Sequence, residues 1–157
     1  MNNIYVIADT HFGHKKVLEF EKEHRPFSSI EEHDECLVDN WNSVVNKHDT
    51  VYHLGDVLFG RHSFNVLSRL NGVKKLIMGN HDSYPTHLYL EHFNKLFGSV
   101  KIKDVLLTHV PIHESQLNRF RKNIHGHLHS SILNDDRYIN VSVERINLTP
   151  ILLNDII

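Results

Sequence analysis

Five short clusters of aspartate, histidine and asparagine follow directly on strand-like apolar runs, and this arrangement constrains the chain more than any other feature. The clusters are Asp9-Thr10-His11, Gly55-Asp56, Gly79-Asn80-His81-Asp82, His109 and Gly126-His127-Leu128-His129. In open α/β sheets, ligand sites form at the carboxyl ends of strands. We therefore expect five separate segments to deliver their polar side chains to the same edge of one sheet.

Short β-rich runs alternate with longer helical patterns along the chain, which is typical of a layered α/β fold. Strands are predicted at residues 4–8, 50–54, 75–78, 100–103, 105–108, 123–125 and 138–143, and residues 151–157 form the closing segment. Helices are predicted at residues 30–45, 62–70 and 86–96. The first of these begins after Ser28 and Ser29, because serine caps a helix start when acidic residues follow.

The side chains of the polar clusters are of types that bind metal ions. The chain has 15 histidines among its 157 residues, and imidazole is the commonest metal ligand in proteins. Asp9 and His11 are two positions apart, so in an extended segment their side chains point the same way and reach one ion. His127 and His129 have the same spacing. One such pair alone is usually a surface turn, but five clusters at five strand ends predict a dinuclear metal site.

Composition excludes several other classes of protein. The chain has 17 Lys and Arg residues against 19 Asp and Glu, and this slightly negative net charge argues against strong binding of nucleic acid. Cys36 is the only cysteine, which rules out an intrachain disulfide and a cysteine-based zinc site. Apolar runs are too short to span a membrane and no signal-peptide pattern is present, so we expect a cytoplasmic protein. The length suits a single domain over residues 1–157 without a cap domain.

The identity and order of the clusters closely resemble the calcineurin-like metallophosphoesterase family, whose pattern runs D-x-H, GD, GNHD or GNHE, H and G-H-x-H. All five motifs occur here in order, over residues 9–129. Two details resemble the compact phage and bacterial phosphoesterases, namely the segment Asp9 to His14 and the segment Arg25-Pro26-Phe27. The resemblance implies a four-layer α-β-β-α sandwich of two mixed sheets.

The resemblance also implies a ligand set for two divalent transition metal ions. The first ion would be bound by Asp9, His11, Asp56 and His129, and the second by Asp56, Asn80, His109 and His127. Asp56 would bridge them. Manganese is favoured, and the mixed nitrogen and oxygen donors also suit Fe, Zn, Ni or Co. Two divalent ions against two carboxylates leave the site positive, which favours an anionic substrate such as a phosphate ester.

The mechanism implied is attack on phosphorus by a metal-activated hydroxide. His81 would act as the catalytic group that protonates the leaving oxygen, and Asp82 would orient His81 or support it. Substrate contacts are expected from His14, Arg25, Asn80 and His81. His62 and His113 lie in loops near the expected site edge, and their roles stay open.

The predicted activity is that of a phosphodiesterase on small or nucleotide substrates, because a chain of this length leaves the site uncapped. A phosphomonoesterase, a metal-dependent nuclease of the same fold and a catalytically silent binding module are the alternatives. The expected partner is a small phosphate-ester or nucleotide substrate. No membrane partner is expected, and self-association into a homo-oligomer stays open.

Overall fold

A computed structural model describes residues 2–157 and contains two β-sheets. The strands are β1 (Ile4–Ile7), β2 (Thr50–His53), β3 (Val73–Ile77), β4 (Lys95–Phe97), β5 (Val100–Ile102), β6 (Val105–Leu107), β7 (Lys122–His125), β8 (Tyr138–Asn140) and β9 (Ile151–Leu152). The helices are α1 (Val17–Phe20), α2 (Ile30–Val44), α3 (Phe64–Leu67) and α4 (Thr86–Leu90). Short 3-10 turns cover Arg61–Ser63, Glu114–Gln116, Val143–Arg145 and Leu153–Asp155.

Both sheets are mixed. The first has the order β4-β3-β2-β1-β9, in which only β9 runs antiparallel to its neighbour. The second has the order β5-β6-β7-β8, in which β5 is antiparallel to β6 and the other pairs are parallel. One hydrophobic cluster contains buried residues of both sheets, including Val6 and Val51 of the first and Leu107 and Ile124 of the second. This confirms the predicted α/β sandwich of two mixed sheets.

The five polar clusters follow strands of both sheets, which corrects the expectation of a single sheet. Three clusters follow β1, β2 and β3, and two follow β6 and β7. The two sheet edges meet at Ala8, whose N–H donates to the Val141 carbonyl at 2.9 Å and whose carbonyl accepts from Val143 at 3.1 Å. The clusters therefore lie at a joint rim, where parallel strands of the two sheets end.

Helix α2 begins where the serines predict and packs on the first sheet. The Ser29 hydroxyl accepts a hydrogen bond from the Glu32 N–H at 3.1 Å, which caps the free first turn. The Trp41 ring stacks on His53 of β2 with centroids 6.5 Å apart, and the Tyr5 hydroxyl of β1 donates to the Val44 carbonyl at 2.9 Å. Within residues 2–157, this 15-residue helix is the longest, and none is long and apolar enough to cross a membrane.

Three sequence predictions were wrong in their extent. The helix predicted at residues 86–96 ends at Leu90, because residues 95–97 pair as edge strand β4 with β3. The helix predicted at residues 62–70 is a 3-10 turn followed by the single turn α3. The strand predicted at residues 138–143 ends at Asn140, and Val143 begins a 3-10 turn. For residues 95–97, pairing with β3 outweighs local helix propensity.

Candidate metal centre

Most of the expected metal ligands lie in strained backbone. Positive φ angles occur at Asp9 (57°), His11 (50°), Asp56 (57°), His127 (70°) and His129 (50°). A residue other than glycine in this left-handed region costs on the order of 1–3 kcal/mol, and such strain clusters at functional sites. Five strained residues at one rim therefore indicate that the backbone is held there to aim side chains.

The first group of donors is Asp9, His11 and His129. Each offers one ligand atom, and these atoms lie within 4.8 Å of one another. Asp9 Oδ1 and His11 Nε2 are 3.9 Å apart, and both are buried atoms that have no hydrogen-bond partner. Leaving a buried polar atom unpaired costs on the order of 1–3 kcal/mol. A cation between the two atoms would satisfy both, so this group fits a metal ion.

The second group is Asp56, His109 and His127, again within 4.8 Å of one another, with Asn80 beside them. Asn80 Oδ1 lies 2.8 Å from His109 Nε2 and 3.0 Å from His127 Nδ1. His109 Nδ1 donates to the Leu54 carbonyl at 2.7 Å, so Nε2 carries the lone pair in the neutral ring. Amide oxygen and imidazole lone pairs that face one another fit a shared cation.

Asp56 lies between the two groups. Its Oδ2 atom is 3.7 Å from His11 Nε2 and 3.4 Å from His109 Nε2. Its Oδ1 atom accepts a hydrogen bond from the His81 N–H at 2.9 Å, which orients the carboxylate. One carboxylate within reach of both donor groups has the placement that a bridging ligand needs.

Both carboxylates are ionised at neutral pH. Burial alone raises the pKa of Asp9, but the nearby rings of His11, His109 and His129 outweigh burial and hold it below its usual value. Burial likewise raises the pKa of Asp56, and hydrogen bonding and charge interaction with His109 bring the net shift downward. The donor set therefore presents two negative charges together with imidazole nitrogen and amide oxygen donors, which suits divalent transition metal ions.

Arg25, for which the sequence analysis predicts a substrate contact, lies inside the protein and bonds to other residues of the chain. The residue has no exposed surface. Its guanidinium donates to the carbonyls of Asp9 at 2.5 Å and Thr10 at 3.0 Å, and pairs with Glu144 Oε1 at 2.6 Å. Its fourth neighbour is His33 Nε2 of helix α2, at 3.1 Å. Arg25 is therefore a positioning residue that holds the strained backbone at Asp9 and links it to α2.

Glu144 contacts a candidate metal ligand and was not predicted from the sequence. Its Oε1 atom accepts a hydrogen bond from His129 Nδ1 at 2.8 Å, which leaves His129 Nε2 for a metal ion. Burial raises the pKa of Glu144, but bonding to His129 and the charge of Arg25 make the net shift downward. Glu144 follows β8 in the 3-10 turn Val143–Arg145 and belongs to no motif, so no signal in the linear sequence could have found it.

Glu21, His129 and Glu144 form a third group whose donor atoms lie within 4.8 Å. Arg25 already neutralises Glu144, and His129 Nδ1 already donates to it. Glu21 in turn accepts a hydrogen bond from the Ser130 hydroxyl at 3.2 Å. We therefore interpret this group as outer support for His129 rather than as a separate ion site.

Asp82, which was expected to orient or support His81, bonds to backbone N–H groups of the neighbouring loops. One carboxylate oxygen accepts hydrogen bonds from the N–H groups of Asp56 at 2.8 Å and Gly79 at 2.7 Å. The other accepts from the Val57 N–H at 3.0 Å. Asp82 thus clamps the loop after β2 to the loop after β3, which places Asp56 beside Asn80.

His14 and His81 lie at the mouth of the site. The His14 ring stacks on Phe59 with centroids 3.8 Å apart, and its Nδ1 atom is 3.0 Å from His11 Nδ1. Burial, with help from His11 and His81, lowers the pKa of His14 to about 4, so its ring is neutral at pH 7. His81 is exposed, and its ring centroid is 6.1 Å from that of His11.

The two histidines with open roles, His62 and His113, are exposed. His113 Nδ1 accepts a hydrogen bond from the Ser115 N–H at 3.2 Å and so caps its own 3-10 turn. The buried His53 and His125 bond Thr10 Oγ1 at 2.9 Å and the Gly126 carbonyl at 2.8 Å, respectively. All four lie outside the donor groups found among residues 2–157.

The bond from His129 to Glu144 predicts a metal-affinity effect. Glu144→Gln keeps the size of the side chain but removes the charge that holds His129 in one tautomer. We expect affinity for Mn²⁺, measured by calorimetry, to fall about 10- to 100-fold, as is typical of outer partners of metal-binding histidines. Glu19→Gln, an exposed glutamate on α1, is the matched control. Equal affinities in both variants would contradict the assignment.

No protein-family model matches the chain. Uncharacterized protein MJ1445 of Methanocaldococcus jannaschii is 35% identical over 168 aligned positions, covering 100% of this chain and 90% of that protein. The gene 66 protein of Mycobacterium phage L5 is 32% identical, covering 85% of this chain and 80% of that protein.

Among solved structures, the protein of unknown function AQ665 from Aquifex aeolicus superposes with a TM-score of 0.80. It is 26% identical, and the match covers 99% of this chain and 98% of that one. The shared fold therefore extends over nearly the whole of both chains. Similarity of this extent and identity shows that the chain belongs to the family that includes protein MJ1445 of Methanocaldococcus jannaschii and the gene 66 protein of Mycobacterium phage L5.

Proposed function

We propose that this protein is a metal-dependent phosphoesterase that binds two divalent ions and hydrolyses phosphodiesters. The observation that carries the proposal is the placement of Asp56 Oδ2, which lies 3.7 Å and 3.4 Å from the histidine donors of two separate groups. In this assignment, the first group with Asp56 holds one ion, and Asp56, Asn80, His109 and His127 hold the other. The donor set favours Mn²⁺ and also accepts Fe, Zn, Co or Ni.

Two divalent ions would supply a net positive charge that binds an anionic ester and would lower the pKa of a water at the site. The chain's own residues then bind and orient the ester. Asn80 and His81 are both exposed, so the site opens to solvent and accommodates an ester with two organic groups. This openness favours a diester over a monoester.

His81 is the proposed proton donor. The backbone N–H of His81 donates a hydrogen bond to Asp56. The side chain of His81 can therefore face the solvent side of the site, where a leaving oxygen would depart. The centroid of its ring lies 5.2 Å from that of Phe59. A histidine donates or accepts a proton near neutral pH, which is the protonation change that departure of an alkoxide needs.

The proposal is tested by hydrolysis of bis-p-nitrophenyl phosphate, p-nitrophenyl phosphate and plasmid DNA by metal-free protein reloaded with Mn²⁺. We expect the diester to be hydrolysed fastest, with activity abolished by a chelator and restored by Mn²⁺. Faster hydrolysis of the monoester or of DNA would replace the diester assignment. No hydrolysis of any of the three with Mn, Fe, Co, Ni or Zn would overturn the enzymatic proposal and leave a binding module.

His81→Ala separates chemistry from metal binding. We expect kcat for the diester to fall about 10²- to 10⁴-fold, the range for loss of a positioned acid or base. Metal content, measured by elemental analysis, should stay unchanged, because the side chain of His81 is not among the proposed donors. The exposed His87→Ala on α4 is the matched control and should keep its kcat. An unchanged kcat in metal-replete His81→Ala protein would remove His81 from the mechanism.

A further inference from the structure

An exposed aromatic side chain stands beside the first donor group without any role in the proposed chemistry. Phe20, the last residue of α1, is 59% exposed. Its ring meets His129 edge-on, with centroids 6.4 Å apart and planes at 82°, and meets His14 at 5.7 Å and 62°. A single exposed phenylalanine is ordinary on a protein surface. This one is notable because it touches a proposed metal ligand.

Phe20 continues a row of aromatic rings around the mouth of the site. His14 stacks on Phe59 at 3.8 Å, and Phe59 lies 5.2 Å from His81. The row therefore runs from Phe20 through His14 and Phe59 to His81, on the side of the first donor group. Since His81 is placed at the leaving oxygen, Phe20 lies at the far end of the row, where the other ester group of a diester would extend.

The surface around Phe20 is open to solvent, and a hydrogen bond next to Phe20 holds the end of α1 near His129. The Ser130 hydroxyl, next to His129, donates to Glu21, the residue after Phe20, at 3.2 Å. A groove of about 340 Å³ beside Phe20 is lined by Glu19, Glu21, Glu23 and Lys22 among others. Three carboxylates against one ammonium disfavour a second phosphate in this groove. An uncharged planar ring fits it better.

We propose that Phe20 is a stacking platform for a nucleobase, and that the substrate is a phosphodiester with a nucleoside as the ester group that remains on phosphorus. This inference rests on the proposed function, because it places the phosphate at the two donor groups. Base stacking on an aromatic side chain contributes on the order of 1–3 kcal/mol per base, and it tolerates any base because every base has a π-face.

The test compares two diesters that release the same p-nitrophenolate, the p-nitrophenyl ester of thymidine 5′-phosphate and methyl p-nitrophenyl phosphate. We expect Phe20→Ala to lower the ratio of their kcat/KM values roughly 5- to 150-fold, which is the stacking range expressed as a ratio. Phe20→Trp should retain the ratio. Leu90→Ala, which changes a 50% exposed apolar residue on α4, is the matched control and should also retain it. If Phe20→Ala lowers kcat/KM equally for both diesters, Phe20 is not a stacking platform for the base.

A second readout does not depend on turnover. Calorimetry measures binding of thymidine 5′-monophosphate and methyl phosphate to Mn²⁺-loaded protein, and we expect only the nucleotide to lose affinity in Phe20→Ala. If no diester is hydrolysed but this difference appears, the platform stands and the hydrolase assignment fails. If diesters are hydrolysed but neither readout depends on Phe20, the hydrolase assignment stands and the platform is overturned.

Discussion

Asp56→Asn is expected to remove cooperative binding of the two proposed metal ions and to abolish diester hydrolysis. Asp56 supplies the carboxylate oxygen near both donor groups, at 3.7 Å and 3.4 Å from His11 Nε2 and His109 Nε2. Asparagine keeps the shape and can still accept the His81 N–H, but it lacks the charge that draws two cations together. We expect activity to fall by more than the roughly 10- to 100-fold that is typical when a residue hydrogen-bonded to a metal ligand is replaced.

The measurement is Mn²⁺ stoichiometry by calorimetry, together with the spin–spin coupling of paired Mn²⁺ ions by electron paramagnetic resonance. Asp9→Asn is the control, because Asp9 belongs to the first group only and its loss should spare the second ion. Metal-free Asp56→Asn should stay folded, because asparagine keeps the side-chain shape and can still accept the His81 N–H. If Asp56→Asn still binds two Mn²⁺ ions with unchanged spin–spin coupling, Asp56 does not bridge them.

Arg25→Met is expected to have the largest effect on stability. The side chains of Arg25 and Glu144 both have no exposed surface, and Nη2 of Arg25 lies 2.6 Å from Glu144 Oε1. Methionine would fill much of the space but leave the buried Glu144 carboxylate without the guanidinium charge, and two backbone carbonyls without a donor. Breaking a buried pair in this way costs about 3–5 kcal/mol. The measurement is urea unfolding of metal-free protein.

Arg69→Met is the matched control for this prediction. Arg69 pairs with Glu35 at 2.6 Å, but the side chains are 48% and 56% exposed, so the loss should be at most about 1 kcal/mol. Combining Arg25→Met with Glu144→Gln should recover part of the lost stability, because the unpaired charge is then removed as well. If Arg25→Met loses no more stability than Arg69→Met, Arg25 does not have the structural role assigned to it.

Much of the fold was predictable because its signals are local. Ser29 and Glu32 are three residues apart, so the start of α2 depends on neighbours in the chain. The strands that precede the polar clusters are short apolar runs, and their carboxyl ends meet at one rim whichever sheet they join. The division of these strands between two sheets depends on which strands pair, and that information is not local. The same holds for β4, which is a strand because β3 offers it an edge.

The contacts of Arg25 and Asp82 could not be predicted from their positions in the sequence motifs. Arg25 suggested a phosphate contact because guanidinium binds phosphate well, yet its donors are taken up by Glu144 and the backbone of the Asp9 loop. Asp82 suggested a partner for the adjacent His81, yet its oxygens bind three backbone N–H groups. In both cases, a buried polar group binds whatever the packing brings near, and this depends on contacts between distant segments.

The sequence by itself determined which donors are present and in what order, because five clusters of aspartate, histidine and asparagine follow five strand-like runs. Only the tertiary structure decided how those donors are held. His129 and Glu144 are 15 positions apart and Arg25 and Glu144 are 119 apart, and folding brings these side chains within 3 Å of one another. Contacts of this kind arise from packing two sheets at one rim, and the linear order of residues does not encode them locally.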